Sequence, residues 1–285
     1  MPPVQVQSEV LSVKPIGDYV SMTVVASGIA EQFRPGQFVA VAVGGPEGSS
    51  LLRRAFSIHG VRDSGPYGGT VEFVFAVAGR GTAWLARRRA HDPLDVVGPL
   101  GRPFSLPKDP AHCLLVGGGY GSAPLFPLAD ALRRKGCRVD IALGASTASR
   151  LFGTLEAKRT ASAVAFTTDD GSLGHEGLVS DVVPEMIERG RIEVVYACGP
   201  MPMLQAVAGI AATAYDGLGI PSQVAVEESM ACGVGVCMTC VLPVVGDDGR
   251  TRMTRSCVDG PVFAGDAIRW DSLGTVPSDA VGAVS

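Results

Sequence analysis

Four cysteines near the C-terminus have the spacing and chemistry of a metal-binding set: Cys232, Cys237, Cys240 and, after sixteen intervening residues, Cys257. Thiolates hold soft metals, and C-x4-C-x2-C followed by a distant fourth cysteine is a ligand spacing of [2Fe–2S] clusters. Each iron of such a cluster takes two thiolates, so four sulfurs must be gathered into one compact place. Gly233 and Gly235 lie inside the loop, where glycine lets the backbone bend and turn N–H groups toward sulfur. The chemistry of such a site is transfer of single electrons. Structural zinc also takes four thiolates, but its usual signature is two C-x2-C pairs, and here Cys257 stands alone. Disulfides are the second alternative. They require an oxidising compartment, and Met1-Pro2-Pro3-Val4-Gln5 lacks the basic start and apolar run of a secretory signal. Cys113 and Cys137 sit in apolar runs and read as small core residues.

Other candidate residues lie upstream. Gly117-Gly118-Gly119-Tyr120-Gly121-Ser122-Ala123-Pro124 follows an apolar run. Glycines at a strand-to-helix turn let a pyrophosphate approach the backbone, although this run is not G-x-G-x-x-G. A tight structural turn would use the same residues. Asp170, Gly171 and Ser172 follow a third strand-like run, and Cys198-Gly199-Pro200 follows a fourth. Open α/β sheets bind ligands at that edge, so these segments are candidate ribose or nicotinamide contacts, with Cys198 expected to face the crevice. No acidic residue follows the second run, where Gly144-Ala145-Ser146-Thr147 stands. This leaves the choice between NADH and NADPH open. Arg53-Arg54-Ala55-Phe56-Ser57 offers an arginine fork for phosphate, and Gly79-Arg80-Gly81-Thr82 a backbone cradle. His59, His91, His112 and His175 show neither ligand spacing nor pairing with a nucleophilic serine. No H-E-x-x-H, G-x-S-x-G or G-x-x-x-x-G-K-[ST] motif is present.

The elements that position these residues follow from pattern. Val4–Val13, Tyr19–Ala26, Gln37–Val43 and Thr70–Val77 read as short strands separated by turns such as Arg34-Pro35-Gly36 and Gly44–Gly48, and predict a small β-barrel. A short helix is expected over Thr82–Arg88. Beyond Pro107-Lys108-Asp109-Pro110 the strands His112–Val116, Arg138–Leu143, Ala163–Thr168 and Ile192–Cys198 alternate with helices at Leu125–Arg134, Leu151–Lys158, Leu178–Glu188 and Met201–Ala212. That alternation predicts a doubly wound parallel sheet. From about Ser222 it stops. A hairpin is expected at Gly246-Asp247-Asp248-Gly249, and a loose tail over Ser272–Ser285. The chain has 285 residues, 46% of them hydrophobic and 18% charged, with net charge −4 and 6% aromatics. This describes a well-filled core with neither the basic field nor the aromatic platforms of a nucleic-acid binder. No apolar run reaches the roughly 20 residues of a membrane span. A cytoplasmic location is expected.

Taken together, Arg54-Ala55-Phe56-Ser57, Gly117–Pro124 and Cys198-Gly199-Pro200 resemble the R-x-[YF]-S, G-G-G-x-G-x-A-P and C-G-P motifs of the ferredoxin–NADP reductase-like superfamily. Glu227-Glu228-Ser229-Met230-Ala231-Cys232-Gly233-Val234-Gly235 is similar to the E-x-x-M-A-C-G-x-G segment of the electron-transfer subunits of class 1B dihydroorotate dehydrogenases. The resemblance runs in one order from about Val6 to Trp270. It implies an FAD-binding β-barrel (1–106), an NAD-binding α/β domain (107–221), a [2Fe–2S] lobe (222–271) and a tail (272–285). It implies that Arg54, Ala55, Phe56 and Ser57 hold the flavin, that Val74, Phe75 and Ala76 line it, and that Gly81 and Thr82 meet its pyrophosphate. Gly118, Gly119, Gly121, Asp170, Gly171, Cys198 and Gly199 would meet NAD, and Cys232, Cys237, Cys240 and Cys257 would ligate the cluster. Substrate oxidation would lie in a partner, an FMN subunit oxidising dihydroorotate, in a heterotetramer of two of each, with no catalytic side chain in this chain. Related subunits serve hydrogenases and NAD(P)H–ferredoxin oxidoreductases, and a zinc-stabilised binding module is the non-redox alternative. Three departures from the family pattern stand out: Ala55 stands where proline is common, Ala76 where a basic residue is frequent, and the pair Met238-Thr239 replaces a smaller pair.

Overall fold

The computed structural model describes residues 2–45, 50–227 and 229–283. The turn expected at 44–48 lies partly outside these residues, and Glu228 wholly so. Six strands, β1 (Val4–Ile16), β2 (Tyr19–Val25), β3 (Phe38–Val41), β4 (Arg54–Arg62), β5 (Thr70–Phe75) and β6 (Pro93–Leu100), close a barrel in the order β1-β2-β5-β4-β3-β6. Every neighbouring pair is antiparallel. Successive strand residues point to opposite faces, and the barrel uses both. Val39, Val41, Phe56, Ile58, Phe73 and Phe75 fill its interior. Phe38 and Ala40 face outward and pack against Cys240 and Cys257, while Val74 joins the core of the α/β domain. The two short helices of this half are α1 (Ser27–Ala30) and α2 (Arg80–Ala86).

The second half centres on a seven-stranded sheet. Its strands are β7 (His112–Gly118), β8 (Arg138–Ala145), β9 (Val164–Thr168), β10 (His175–Glu176), β11 (Val194–Cys198), β12 (Ser222–Ala225) and an edge strand (Val262–Ala264), in the order β10-β9-β8-β7-β11-β12-edge. All pairings are parallel except at the edge strand. Helices α3 (Leu125–Arg134) and α4 (Thr154–Thr160) contribute to the core on one face, α5 (Val179–Gly190) and α6 (Met201–Gly217) to that on the other. The sheet is therefore doubly wound, as expected. A hairpin of Val241–Val245 and Thr251–Arg255 carries the cysteine segment.

Several boundaries differ from the sequence reading. The helix expected from Leu151 begins at Thr154, because Gly153 adopts φ +78° and Phe152 turns into the core. The helix expected at Thr82–Arg88 spans Arg80–Ala86. Helix α6 runs on to Gly217, with non-helical backbone at Ala214–Asp216. Ser222–Ala225 pairs with β11 inside the sheet, beyond the point where alternation was read to stop. Four residues are too few for their periodicity to show. The described part of the tail is tied down. Val281 N–H donates to the Thr251 carbonyl at 2.8 Å, Arg269 Nη1 reaches both Asp279 oxygens at 2.7 and 2.6 Å, and Ala280 is buried.

Gly153 combines two constraints. A Cβ there would lie 2.1 Å from the Phe126 ring, and its φ is left-handed. Gly153→Ala is expected to destabilise the protein by about 2–4 kcal/mol through strain and overpacking. A urea unfolding midpoint indistinguishable from that of the parent would contradict this.

Candidate cofactor and cluster sites

The thiol site is assembled by the hairpin. Val241 pairs with Arg255. One step further along, the Ser256 N–H and Oγ both donate to the Cys240 carbonyl, at 2.9 and 2.7 Å. The returning strand thus sets Cys257 beside Cys240, which explains the long gap before the fourth cysteine. Both thiols are buried, against Phe38, Ala40 and Leu100 of the barrel and against Met230. Burial, then contact with Cys240, pushes the Cys257 thiol up to about 12. The first two cysteines form an outer pair. Cys232 Sγ accepts N–H bonds from Val234 at 3.4 Å and Val236 at 3.3 Å. These and the Cys237 N–H lower its pKa against an opposing effect of partial burial. Cys237 is exposed, and the Thr239 hydroxyl, 3.1 Å from its sulfur, heads the contacts that lower it to about 6. Thr239, which departs from the family pattern, thus touches the Cys237 sulfur directly.

Among the described residues, no three His, Cys, Asp or Glu side chains close around a single point. The chain presents two thiol pairs, Cys232 with Cys237 and Cys240 with Cys257. Two irons, each taking two thiolates, would fit that arrangement, with the Val234 and Val236 N–H groups donating to the Cys232 sulfur.

A cavity of about 350 Å³ lies between barrel and sheet domain, lined by Ala55, Phe56, Ser57, Val74, Phe75, Ala76 and Thr82 among others. The rings of Phe56 and Phe75 pack in the barrel interior, 5.3 Å apart. Arg54 and Gly81 meet beside the cavity: a Cβ on Gly81 would lie 3.3 Å from Arg54 Nε. Arg53 serves a different purpose, an ion pair with Asp95 at 2.9 Å. Thr82 Oγ1 accepts the N–H groups of Ala78 and Gly79 at 2.9 and 3.1 Å and so closes the loop before α2.

A second cavity, of about 430 Å³, opens at the carboxyl ends of β7, β8, β9 and β11, and is lined by Gly118, Gly119, Gly121, Ser146, Arg150, Asp169 and Pro200 among others. Close backbone approach requires its glycines. A Cβ on Gly121 would meet Gly199 Cα at 2.8 Å and Glu227 Oε1 at 2.9 Å, and one on Gly199 would meet the Gly118 nitrogen at 3.0 Å. Asp170 and Gly171 do not line this cavity. The Asp170 carboxylate is occupied by Ser172, whose N–H and Oγ donate to it at 3.0 and 2.5 Å. Cys198 lines neither cavity. It is buried beneath them, its thiol held well above the usual range by burial and by the charge of Glu227.

Three residues line both cavities: Tyr120, Gly121 and Glu227. The sequence reading assigned no role to Tyr120 or Glu227. Glu227 is open to the two cavities but enclosed by protein on its other sides, and this burial raises its carboxyl. Phe38, Ala55 and Met230 line the first cavity and also pack with Cys240 and Cys257. The thiols, the barrel cavity and the sheet cavity therefore form one continuous series.

Comparison with known proteins agrees with this series. Residues 227–269 match the iron–sulfur cluster binding domain of dihydroorotate dehydrogenase B. The electron transfer subunit of dihydroorotate dehydrogenase B (NAD(+)) from Desulforamulus reducens is 35% identical over 246 residues, covering 86% of this chain and 90% of the relative. The chain belongs to this family. The corresponding subunit of Bacillus caldolyticus is 38% identical over 84% of this chain and 89% of its own. Among solved structures, the NADH-dependent reduced ferredoxin-NADP oxidoreductase superposes with TM-score 0.78 at 30% identity, covering 94% of this chain and 91% of that one. The ferredoxin reductase of carbazole 1,9a-dioxygenase shares the fold, with TM-score 0.61 at 24% identity. Membership makes the chain an oxidoreductase subunit using FAD, a [2Fe–2S] cluster and NAD, and the matched segment spans all four cysteines. No helix among the described residues is long and apolar enough to cross a membrane.

The thiols are expected to differ in reactivity once the cluster is removed. Iodoacetamide should label Cys237 first, with a rate that rises to half-maximum near pH 6, whereas Cys240 and Cys257 should react only on unfolding. Peptide mapping after timed alkylation reads this. Equal labelling of all four sites in the folded protein would contradict the pairing.

Proposed function

We propose that this chain passes electrons between a partner subunit, which carries FMN and oxidises dihydroorotate to orotate, and NAD⁺, within cytoplasmic de novo pyrimidine biosynthesis. The continuity of the three sites carries the reading: Phe38 and Met230 touch both the inner thiols and the barrel cavity, and Tyr120, Gly121 and Glu227 touch both cavities. When bound, a [2Fe–2S] cluster supplies single-electron transfer and FAD the conversion between single electrons and hydride. The protein's part is placement. Arg54, Ser57, Val74 and Ala76 would hold and line the flavin, while Gly118, Gly119, Gly121 and Gly199 leave room for the nucleotide. Phe38 and Met230 exclude water between flavin and cluster, which keeps the path short and dry.

The outer thiol pair marks where the partner docks. Val234, Val236, Met238 and Val258 are 48%, 77%, 52% and 39% exposed, and they surround exposed Cys237 with apolar surface. An apolar partner face there would bring a second flavin toward the outer iron, in an assembly of two of each subunit. The likeness to NADH-dependent reduced ferredoxin-NADP oxidoreductase favours a second reading, in which the same relay belongs to an NAD(P)H–ferredoxin oxidoreductase.

Anaerobic copurification with a candidate FMN subunit tests the assignment. The complex should reduce NAD⁺ on addition of dihydroorotate, and Cys237→Ser should abolish that coupling while NADH-to-dye activity persists. Full FAD and iron content with no coupling to any dihydroorotate-oxidising subunit would remove the pyrimidine role.

A further inference from the structure

The Thr239 hydroxyl is joined to three groups at once. Its Oγ1 accepts the Ala231 N–H at 3.3 Å, donates to the Ser229 carbonyl at 3.0 Å and lies 3.1 Å from Cys237 Sγ. Met238, between Cys237 and Thr239, adopts φ +59°, the left-handed conformation, and the chain turns back on itself there. That turn lets side chains two residues apart meet. The other contacts lead away from Cys237. Ser229 and Met230 line the barrel cavity, and Met230 packs against Cys240 and Cys257. The hydroxyl therefore spans the outer thiol pair and the wall of the barrel cavity. It carries a single hydrogen, which it can rotate, and two acceptors, the Ser229 carbonyl and the Cys237 sulfur, stand at nearly equal distance. Cys232 differs, because the Val234 and Val236 N–H groups that reach its sulfur are fixed in direction by the backbone.

We propose that Thr239 is a positioning residue for electron transfer: its hydroxyl bonds the Ser229 carbonyl while the cluster is oxidised and turns to the Cys237 sulfur when the cluster is reduced. The inference rests on the reading of the four cysteines as ligands of the [2Fe–2S] cluster. One electron enters the cluster and no proton leaves the hydroxyl; only the acceptor of its hydrogen changes. The sulfur wins the competition as its charge grows, since hydrogen bonds to ionised groups are roughly twice as strong as neutral ones. The bond gained favours the reduced form, so this chain holds its cluster at a higher potential than alanine at position 239 would allow. The same rotation frees the Ser229 carbonyl and so ties the charge of the outer site to the wall of the barrel cavity. Cys237 and Thr239 are both exposed, and water competes for the hydroxyl in the free chain. A partner face that covers the surrounding apolar residues removes that competition.

The test uses the full chain loaded with FAD and iron, and reads the cluster potential by reductive titration followed by EPR. Thr239→Val keeps the shape of the side chain, and Thr239→Ala removes it. Each should shift the equilibrium toward the oxidised cluster by about tenfold, the factor a charged hydrogen bond supplies, which for one electron is a potential about 59 mV lower. Thr239→Ser keeps the hydroxyl and should move the potential by less than half of that shift. Proton ENDOR of the reduced cluster, before and after exchange into deuterated buffer, should show an exchangeable coupling in the parent and in Thr239→Ser that both other variants lack. An unchanged potential, or an unchanged exchangeable coupling, in Thr239→Val and Thr239→Ala would overturn the proposal. So would loss of the cluster from both while Thr239→Ser loads it, because the hydroxyl would then hold the loop and not respond to the electron. A reduced parent without a [2Fe–2S] signal would instead overturn the reading of the cysteines as ligands.

Discussion

One short strand, Phe38–Val41, holds the inner thiol pair against the barrel. Its inward residues, Val39 and Val41, belong to the barrel core. Its outward residues, Phe38 and Ala40, form the floor on which Cys240 and Cys257 sit. Along its length it pairs with the Arg54–Ser57 segment, Phe38 opposite Ser57 and Val41 opposite Arg54. Strand pairing is rigid to within a fraction of a residue, because a slip of one position would exchange the two faces. The distance from flavin motif to inner thiols is therefore set by backbone register, not by a flexible linker between domains.

The second junction is built on a different principle. Tyr120, Gly121 and Glu227 come from two distant parts of the chain and meet where the cavities touch. Gly121 contributes by having no side chain, since a Cβ would collide with Gly199 and with the Glu227 carboxylate. Tyr120 leans on Tyr19, with ring centroids 5.3 Å apart, and so belongs to the contact between barrel and sheet domain. The place where flavin and nicotinamide would meet is also the place where the domains meet, and it needs both to be folded. That location is typical of cofactor sites, which favour domain interfaces and the carboxyl ends of parallel strands.

The thiol pairs differ for reasons of environment. The inner pair lies under apolar side chains, and burial pushes the Cys257 thiol up. The outer pair lies in a loop whose N–H groups point at Cys232 and whose Thr239 touches Cys237. The loop holds a strained shape, with Met238 at φ +59°. Backbone N–H groups aimed at sulfur lower the cost of added negative charge, one of the principal ways a protein tunes a cluster. The two thiol pairs are thus unequal: one is insulated against residues that line the barrel cavity, the other is exposed within an apolar surface.

Local chemistry made much of this protein legible from its residues alone. Cysteine spacing pointed to a metal-binding set because a cluster's geometry leaves few ways to wrap a loop around it. Alternating patterns identified barrel and doubly wound sheet because each strand or helix must bury one face. Short elements without periodicity escaped: Ser222–Ala225 is a sheet strand only because β11 lies beside it, and the tail is ordered only because Thr251 and Arg269 receive it. Likewise, nothing in the sequence separates Arg53 from Arg54, and tertiary structure pairs one with Asp95 while leaving the other beside Gly81. Asp170 and Cys198 stand at the expected strand ends yet are claimed by Ser172 and by burial. The residues shared between sites, Phe38, Tyr120, Glu227 and Met230, are defined by what they touch on two sides. Spacing along the chain is a covalent property and can be read in one dimension. Adjacency of cavities depends on contacts closed over long loops, and only the folded molecule decides it.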